Sequence, residues 1–155
     1  MKERLNLTIS MIIMVAILNA CGSSSDVQIK SNFYVSFEKL PMTSQELSDS
    51  NFEGFISSAI DKYEEVYGSC GKDVYIEFEQ QSFYSEELDK YVAGLSYNYG
   101  NSCEIKVGFD TSSKCQTAQI LWHELYHCCK NVPDHGQWVY DLFDLRDDWA
   151  SEGGC

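Results

Sequence analysis

The chain has 155 residues, 44% of them hydrophobic and 23% charged, with a net charge of −13. That length suffices for one domain around one core. With 24 acidic against 11 basic residues, the composition excludes a surface suited to nucleic-acid phosphates; it fits an exported protein and names no substrate.

Lys2 and Arg4 precede an apolar run from Leu7 to Leu18. The run is too short to span a bilayer and reads as a secretory signal. It ends Leu18-Asn19-Ala20-Cys21, followed by Gly22-Ser23-Ser24-Ser25. This pattern resembles a bacterial lipoprotein signal, in which the cysteine after the cleavage site is lipidated. The resemblance implies that residues 1–20 are removed and that Cys21 anchors the protein to a membrane of the bacterial cell envelope. Gly22, rather than Asp, resembles the pattern of lipoproteins sent to the outer membrane. Residues 21–31 are then expected to be a tether, and residues 32–155 the folded domain.

Phe33 to Phe37 has the character of a short strand, and Pro41 to Asp49 reads as polar loop. Ser50-Asn51-Phe52-Glu53 matches a capping box. It opens a run in which Phe52, Phe55, Ile56, Ala59, Ile60, Tyr63, Val66 and Tyr67 share one helical face, ended by Gly68. Val74 to Glu79 alternates apolar and polar residues as a half-buried strand does. Ser82 to Tyr91 has no clear period and allows a short helix after Ser85. Val92 to Tyr99 and Cys103 to Phe109 read as two strands joined through Gly100-Asn101, with Ile105, Val107 and Phe109 facing inward. Gln116 to Cys129 reads as a helix with a buried stripe of Ala118, Leu121, Leu125 and Cys128. Asn131-Val132-Pro133-Asp134 breaks it. A last helix is expected from Gly136 to Ala150, with Trp138, Leu142, Leu145 and Trp149 as its stripe. The order predicts an α+β domain with a small mixed sheet, an antiparallel hairpin at its edge, and two C-terminal helices.

Apart from Cys21 there are six cysteines, at 70, 103, 115, 128, 129 and 155. In an oxidising compartment they allow up to three disulfides. Cys128 and Cys129 are open to reading as metal ligands or reactive thiols, but structural bridging is the expectation for an exported chain. Adjacent residues on a helix point about 100° apart, so these two should take different partners. Cys155 is the expected partner of one of them.

All three histidines fall within residues 123–135. His123-Glu124-Leu125-Tyr126-His127 spells H-E-x-x-H, which on a helix turns both imidazoles to the same side, as a shared metal ion requires. Glu124 then stands where a carboxylate can accept a proton from an activated water. Two protein ligands leave a third to find, and His135, Asp134 and Glu152 are the candidates. The turn at Pro133 favours His135, since it returns the chain towards the motif helix within a short loop. Tyr126 or Tyr140 is a candidate donor to a developing oxyanion, though packing is the commoner role of a tyrosine. Asp141, Asp144, Asp147 and Asp148 are candidates to orient a ligand histidine, with a solvated acidic face as the alternative.

The motif and the order of elements resemble the zincin metallopeptidases. His135-Gly136-Gln137-Trp138 opening a helix is similar to the SprT-like group; the metzincin pattern needs a Gly at the third position after the motif and an earlier third His. The resemblance implies a zinc ion held by His123, His127 and His135, with Glu124 as the general base in hydrolysis of a peptide or protein substrate. It also implies that Cys103 to Phe109, or its hairpin partner, borders the cleft and pairs with the substrate as an added strand. Two readings from other classes stay open: a non-catalytic envelope lipoprotein stabilised by zinc, and a zinc amidase acting on a non-peptide substrate.

Overall fold

The computed structural model describes residues 26–110 and 112–155. Cys21, the leader before it and Gly22 to Ser25 lie outside the described residues. Among those described, no helix is long and apolar enough to cross a membrane.

The sequence period becomes an α+β domain. Strand β1 (Val27–Lys30) pairs antiparallel with β2 (Phe33–Ser36). The short helix α1 (Ser44–Asp49) and the long helix α2 (Phe52–Tyr67) follow, then β3 (Asp73–Gln80). A separate two-stranded hairpin, β4 (Phe83–Ser85) and β5 (Lys90–Val92), leads into β6 (Gly94–Asn98) and β7 (Ser102–Phe109). Helices α3 (Lys114–Lys130) and α4 (Trp138–Ser151) complete the chain. The main sheet has five strands in the order β1-β2-β3-β7-β6. Strands β2, β3 and β7 run parallel, and β6 returns antiparallel along β7 as the sheet's edge.

One face of this sheet builds the core. Phe33, Val35, Val74, Ile76, Phe78, Ile105, Val107 and Phe109 are buried, while Tyr75, between Val74 and Ile76, is exposed. Phe52 at the start of α2 meets Phe37, Phe78 and Phe109 edge-on and stacks on Phe55. The expected stripes of α2, α3 and α4 are the buried ones, the exceptions being Val66, 49% exposed, and half-buried Tyr67. Trp122 is fully buried, donates its indole N–H to the Ala59 carbonyl at 2.7 Å and packs edge-on against Trp149. This locks α3 between α2 and α4.

Four local expectations are corrected. Val27–Lys30 falls within the segment expected as tether, yet it is a sheet strand. Pro41 to Asp49 is not all loop: Thr43 accepts the Glu46 N–H at 3.2 Å, Glu46 accepts the Thr43 N–H at 2.7 Å, and this capping box opens α1. Ser50 caps the end of that helix, and Asn51 takes a left-handed turn (φ 48°) before α2 with no side-chain cap. The box expected at Ser50 is therefore absent. Ser82 to Tyr91 forms the β4–β5 hairpin, not a helix.

All six described cysteines are paired, and each bridge has one end on α3. Cys128 joins Cys103 of β7, and Cys129 joins Cys70 in the connection from α2 to β3. Their partners differ, as a 100° offset requires. Cys155 pairs with Cys115, not with Cys128 or Cys129. The motif helix and the end of the chain are still stapled together, but at the helix's other end, because Gly153 turns the chain back after α4 with φ 79°.

Candidate metal centre and its cleft

Helix α3 starts where Ser113 accepts the Gln116 N–H at 3.2 Å, a cap the sequence reading did not identify. Its stripe of Ala118, Leu121, Leu125 and Cys128 is fully buried. With the helix fixed by that stripe and by its disulfides, one face is left to line an open cleft of about 790 Å³. His123, Glu124 and His127 lie along it. The far wall is β6, represented by Gly94, Leu95, Ser96 and Asn98, with the hairpin turn at Glu87, Leu88 and Lys90. Val132, Pro133 and His135 close one end.

The loop after α3 is shaped by two anchors. Asn131 ends the helix in a left-handed conformation (φ 55°), and its side-chain oxygen accepts from Asn98 of β6 at 2.8 Å. Lys72 bonds the Cys128 carbonyl at 3.0 Å and Asn98 at 2.9 Å, placing a cation at the helix C-terminus. The loop then returns His135 to the two motif histidines. The Nε2 atoms of His123 and His135 lie 3.0 Å apart, those of His123 and His127 3.2 Å, and those of His127 and His135 3.3 Å.

This triangle fits a tetrahedral zinc ion. Zinc–nitrogen bonds of about 2.0–2.1 Å at tetrahedral angles place nitrogen atoms about 3.3 Å apart. The protonation state fits as well. The Val132 carbonyl can only accept, so His127 Nδ1–H donates to it and Nε2 is left with its lone pair directed at the other two rings. Burial first, and then the neighbouring His127 and His135, push the His123 imidazolium down to about 4, so the ring is neutral at physiological pH. Three converging lone pairs suit a cation better than one another.

Trp138 backs the cluster. Its ring centroid lies 5.0 Å from those of His123 and His127 and 6.0 Å from that of His135. It stacks on Tyr126 at 4.2 Å and donates to the Asp134 carbonyl at 3.3 Å, bracing the loop. Trp138 was legible as a core position of α4 and as part of the His135-Gly136-Gln137-Trp138 resemblance; its ring contacts with all three histidines gave no sequence signal.

Glu124 is only 6% exposed, enclosed by α3 and β6. Burial pushes its carboxyl up to about 7, against the neighbouring Ser96 hydroxyl, which favours the carboxylate. A divalent cation beside it would draw the value down. A Cβ placed on Gly94 would lie 2.4 Å from the Glu124 carboxylate, so any larger residue on β6 would have to push Glu124 aside. Gly94 and Ser96 are partners of the motif that the sequence did not reveal.

The other candidates lie elsewhere. Glu152 is at the C-terminal cap of α4 and pairs with Lys62 of α2 at 2.9 Å. Asp134 neighbours His135 but contributes its backbone carbonyl, to Trp138. Asp141, Asp144, Asp147 and Asp148 are exposed, and the group that orients a histidine is the Val132 carbonyl. Tyr126 is engaged by Trp138, and Tyr140 is 65% exposed on α4. A second sulfur cluster, Cys70, Cys128 and Cys129, is accounted for by the two disulfides.

Strand β6 has one free edge. Tyr99 N–H bonds the Ser102 carbonyl, and Gly108 N–H bonds that of Ala93. Antiparallel alternation then turns Leu95 and Tyr97 towards β7 and directs the N–H and C=O groups of Gly94, Ser96 and Asn98 outwards. All three residues line the cleft. Comparison with protein-family models, characterised proteins and solved structures gives no match for this chain.

Proposed function

We propose that this protein is a zinc-dependent metallopeptidase of zincin type. The observation that carries the reading is the Nε2 triangle of His123, His127 and His135, with edges of 3.0–3.3 Å, in the same cleft as a buried carboxylate. When bound, zinc supplies a Lewis acid that makes water nucleophilic near neutral pH. The three imidazoles hold it by Nε2, and His127 is fixed in the required tautomer by Val132. Glu124, beside Ser96 and against Gly94, would take the proton from the water and return it to the leaving amine. The free groups of Gly94, Ser96 and Asn98 receive the substrate backbone as an added strand. The order of α2, a sheet with an antiparallel edge strand, α3 and α4 supports the zincin comparison. The lipid anchor at Cys21 and the envelope location implied by the leader belong to the same proposal.

A purely structural zinc site has no use for a buried carboxylate beside an open cleft, which argues for catalysis over a stabilised binding lipoprotein. The edge strand likewise argues for a peptide over another amide. The test is Glu124→Gln. We expect the variant to retain zinc while its hydrolysis of a denatured protein falls by at least about 100-fold, with wild-type activity abolished by a chelator. Undiminished turnover in the variant, or activity indifferent to chelation, removes the mechanism.

A further inference from the structure

We propose that the β4–β5 hairpin forms the specificity wall of the cleft and that Leu88 at its tip receives an apolar side chain of the substrate. This rests on the peptidase reading and deepens it.

The hairpin pairs only with itself, through Phe83, Tyr84 and Ser85 against Lys90, Tyr91 and Val92. A two-stranded hairpin in water is marginal without outside support, yet this one exposes apolar surface: Tyr84 is 48% exposed, Leu88 45% and Tyr91 71%. Its turn is nevertheless specified in detail. Ser85, only 5% exposed, accepts the Leu88 N–H at 3.3 Å. The Tyr84 hydroxyl donates to Asp89, which sits in a left-handed conformation at φ 49°. The Tyr84 and Tyr91 rings meet edge-on at 5.4 Å. Glu87 lies beside the Tyr97 hydroxyl of β6, which brings the tip next to the edge strand.

A single exposed leucine needs no explanation. This one is fixed in a turn with three side-chain anchors, and it lines the cleft that holds the three histidines. Val92 of the same hairpin and Leu95 of β6 line that cleft too. A peptide added beside β6 turns alternate side chains to opposite sides. Those on the hairpin side meet Leu88 and Val92. Of the charged groups on this wall, Glu87 lies by the Tyr97 hydroxyl of β6, and Lys90 is the one lysine lining the cleft. An apolar side chain is therefore favoured, and a glutamate reaching Lys90 is the competing outcome.

The experiment digests a denatured protein mixture with the zinc-loaded full chain and reads the cleaved bonds by mass spectrometry. At one position relative to the cleaved bond, we expect Leu, Ile, Val or Phe to be enriched at least about tenfold over Asp and Glu. Leu88→Glu should reduce that ratio to near one with zinc content unchanged, and Leu88→Ala should lower it partway. Phe143→Glu, which changes an exposed apolar residue on α4 outside the cleft, should leave it as it was. Cleavage without side-chain preference, a preference for acidic residues, or a ratio unmoved in Leu88→Glu overturns the hairpin proposal and leaves the peptidase reading standing. If the zinc-loaded wild type cleaves nothing, both fall.

Discussion

At the scale of single residues, the centre depends on a few close approaches whose effects can be separated. His135 converges on the motif histidines, whereas Glu152 is engaged with Lys62. Outer-shell changes alone cost about 10–100-fold in metal affinity, so His135→Ala should weaken zinc binding by more than about 100-fold and Glu152→Ala hardly at all. Zinc content after dialysis against a weak chelator decides it; an empty Glu152 variant beside a full His135 variant would reverse the assignment. Gly94 works through Glu124 in a different way. Its missing Cβ leaves 2.4 Å to the carboxylate, less than any real side chain tolerates. Gly94→Ala should therefore displace Glu124 and cut kcat at least about tenfold while zinc stays bound, since a misplacement of about 1 Å can cost 100-fold. Normal kcat in that variant would mean that Glu124 need not occupy its present place.

At the scale of elements, what the sequence made legible follows how much of each element is buried. Helices α2, α3 and α4 and strands β3 and β7 each bury a stripe or an alternating face, so their periods show in the residues. Helix α1 fully buries no residue and packs only Leu47 against the core, too little for a period, so its cap was left to announce it. Thr43-x-x-Glu46 and Ser50-x-x-Glu53 both fit a capping box, and tertiary packing decides between them: Ser50 is already the C-cap of α1. Strand β1 has four residues beside the polar stretch Gly22 to Asp26, and its order comes from pairing with β2. The β4–β5 hairpin exposes the tyrosines that would otherwise have marked an inward face. In the site, the histidines were legible as a spacing, whereas Gly94, Ser96 and Val132 were not, because their roles arise from β6 and the loop meeting α3 in space. The cap on α1 gives a local prediction. Thr43→Ala removes a box worth about 1 kcal/mol, and α1 touches the core only through half-buried Leu47, so little of the loss can spread. Amide exchange within α1 should speed up about fivefold with little change in global Tm; exchange unaltered in α1 would show that the box does not hold it.

At the scale of the whole molecule, the question is whether metal builds the fold or occupies it. Small zinc domains unfold without their ion because they lack a core. Here the core runs from Phe33 to Trp149, and Trp122, Tyr63, Phe52 and Phe78 are among its fully buried side chains. Three disulfides, closing separations of 25, 40 and 59 residues, bind both ends of α3 to the rest of the chain; each such bridge typically contributes about 2–4 kcal/mol. Neither the core nor the bridges include any of the three histidines. Zinc that binds only the folded form still adds stability by linkage, about 4 kcal/mol when free zinc is 1,000-fold above Kd. Chelation should therefore lower Tm by several degrees while leaving the far-UV circular dichroism and a cooperative melt intact. The histidines would stay on their helix and loop, ready to rebind. Adding a dithiol reductant to the chelated protein removes the second support, and the transition should then fall much further or lose its cooperativity. A chelated, fully oxidised protein that is already a random coil at 25 °C would instead make the ion a structural element, and the buried carboxylate beside it would need another explanation.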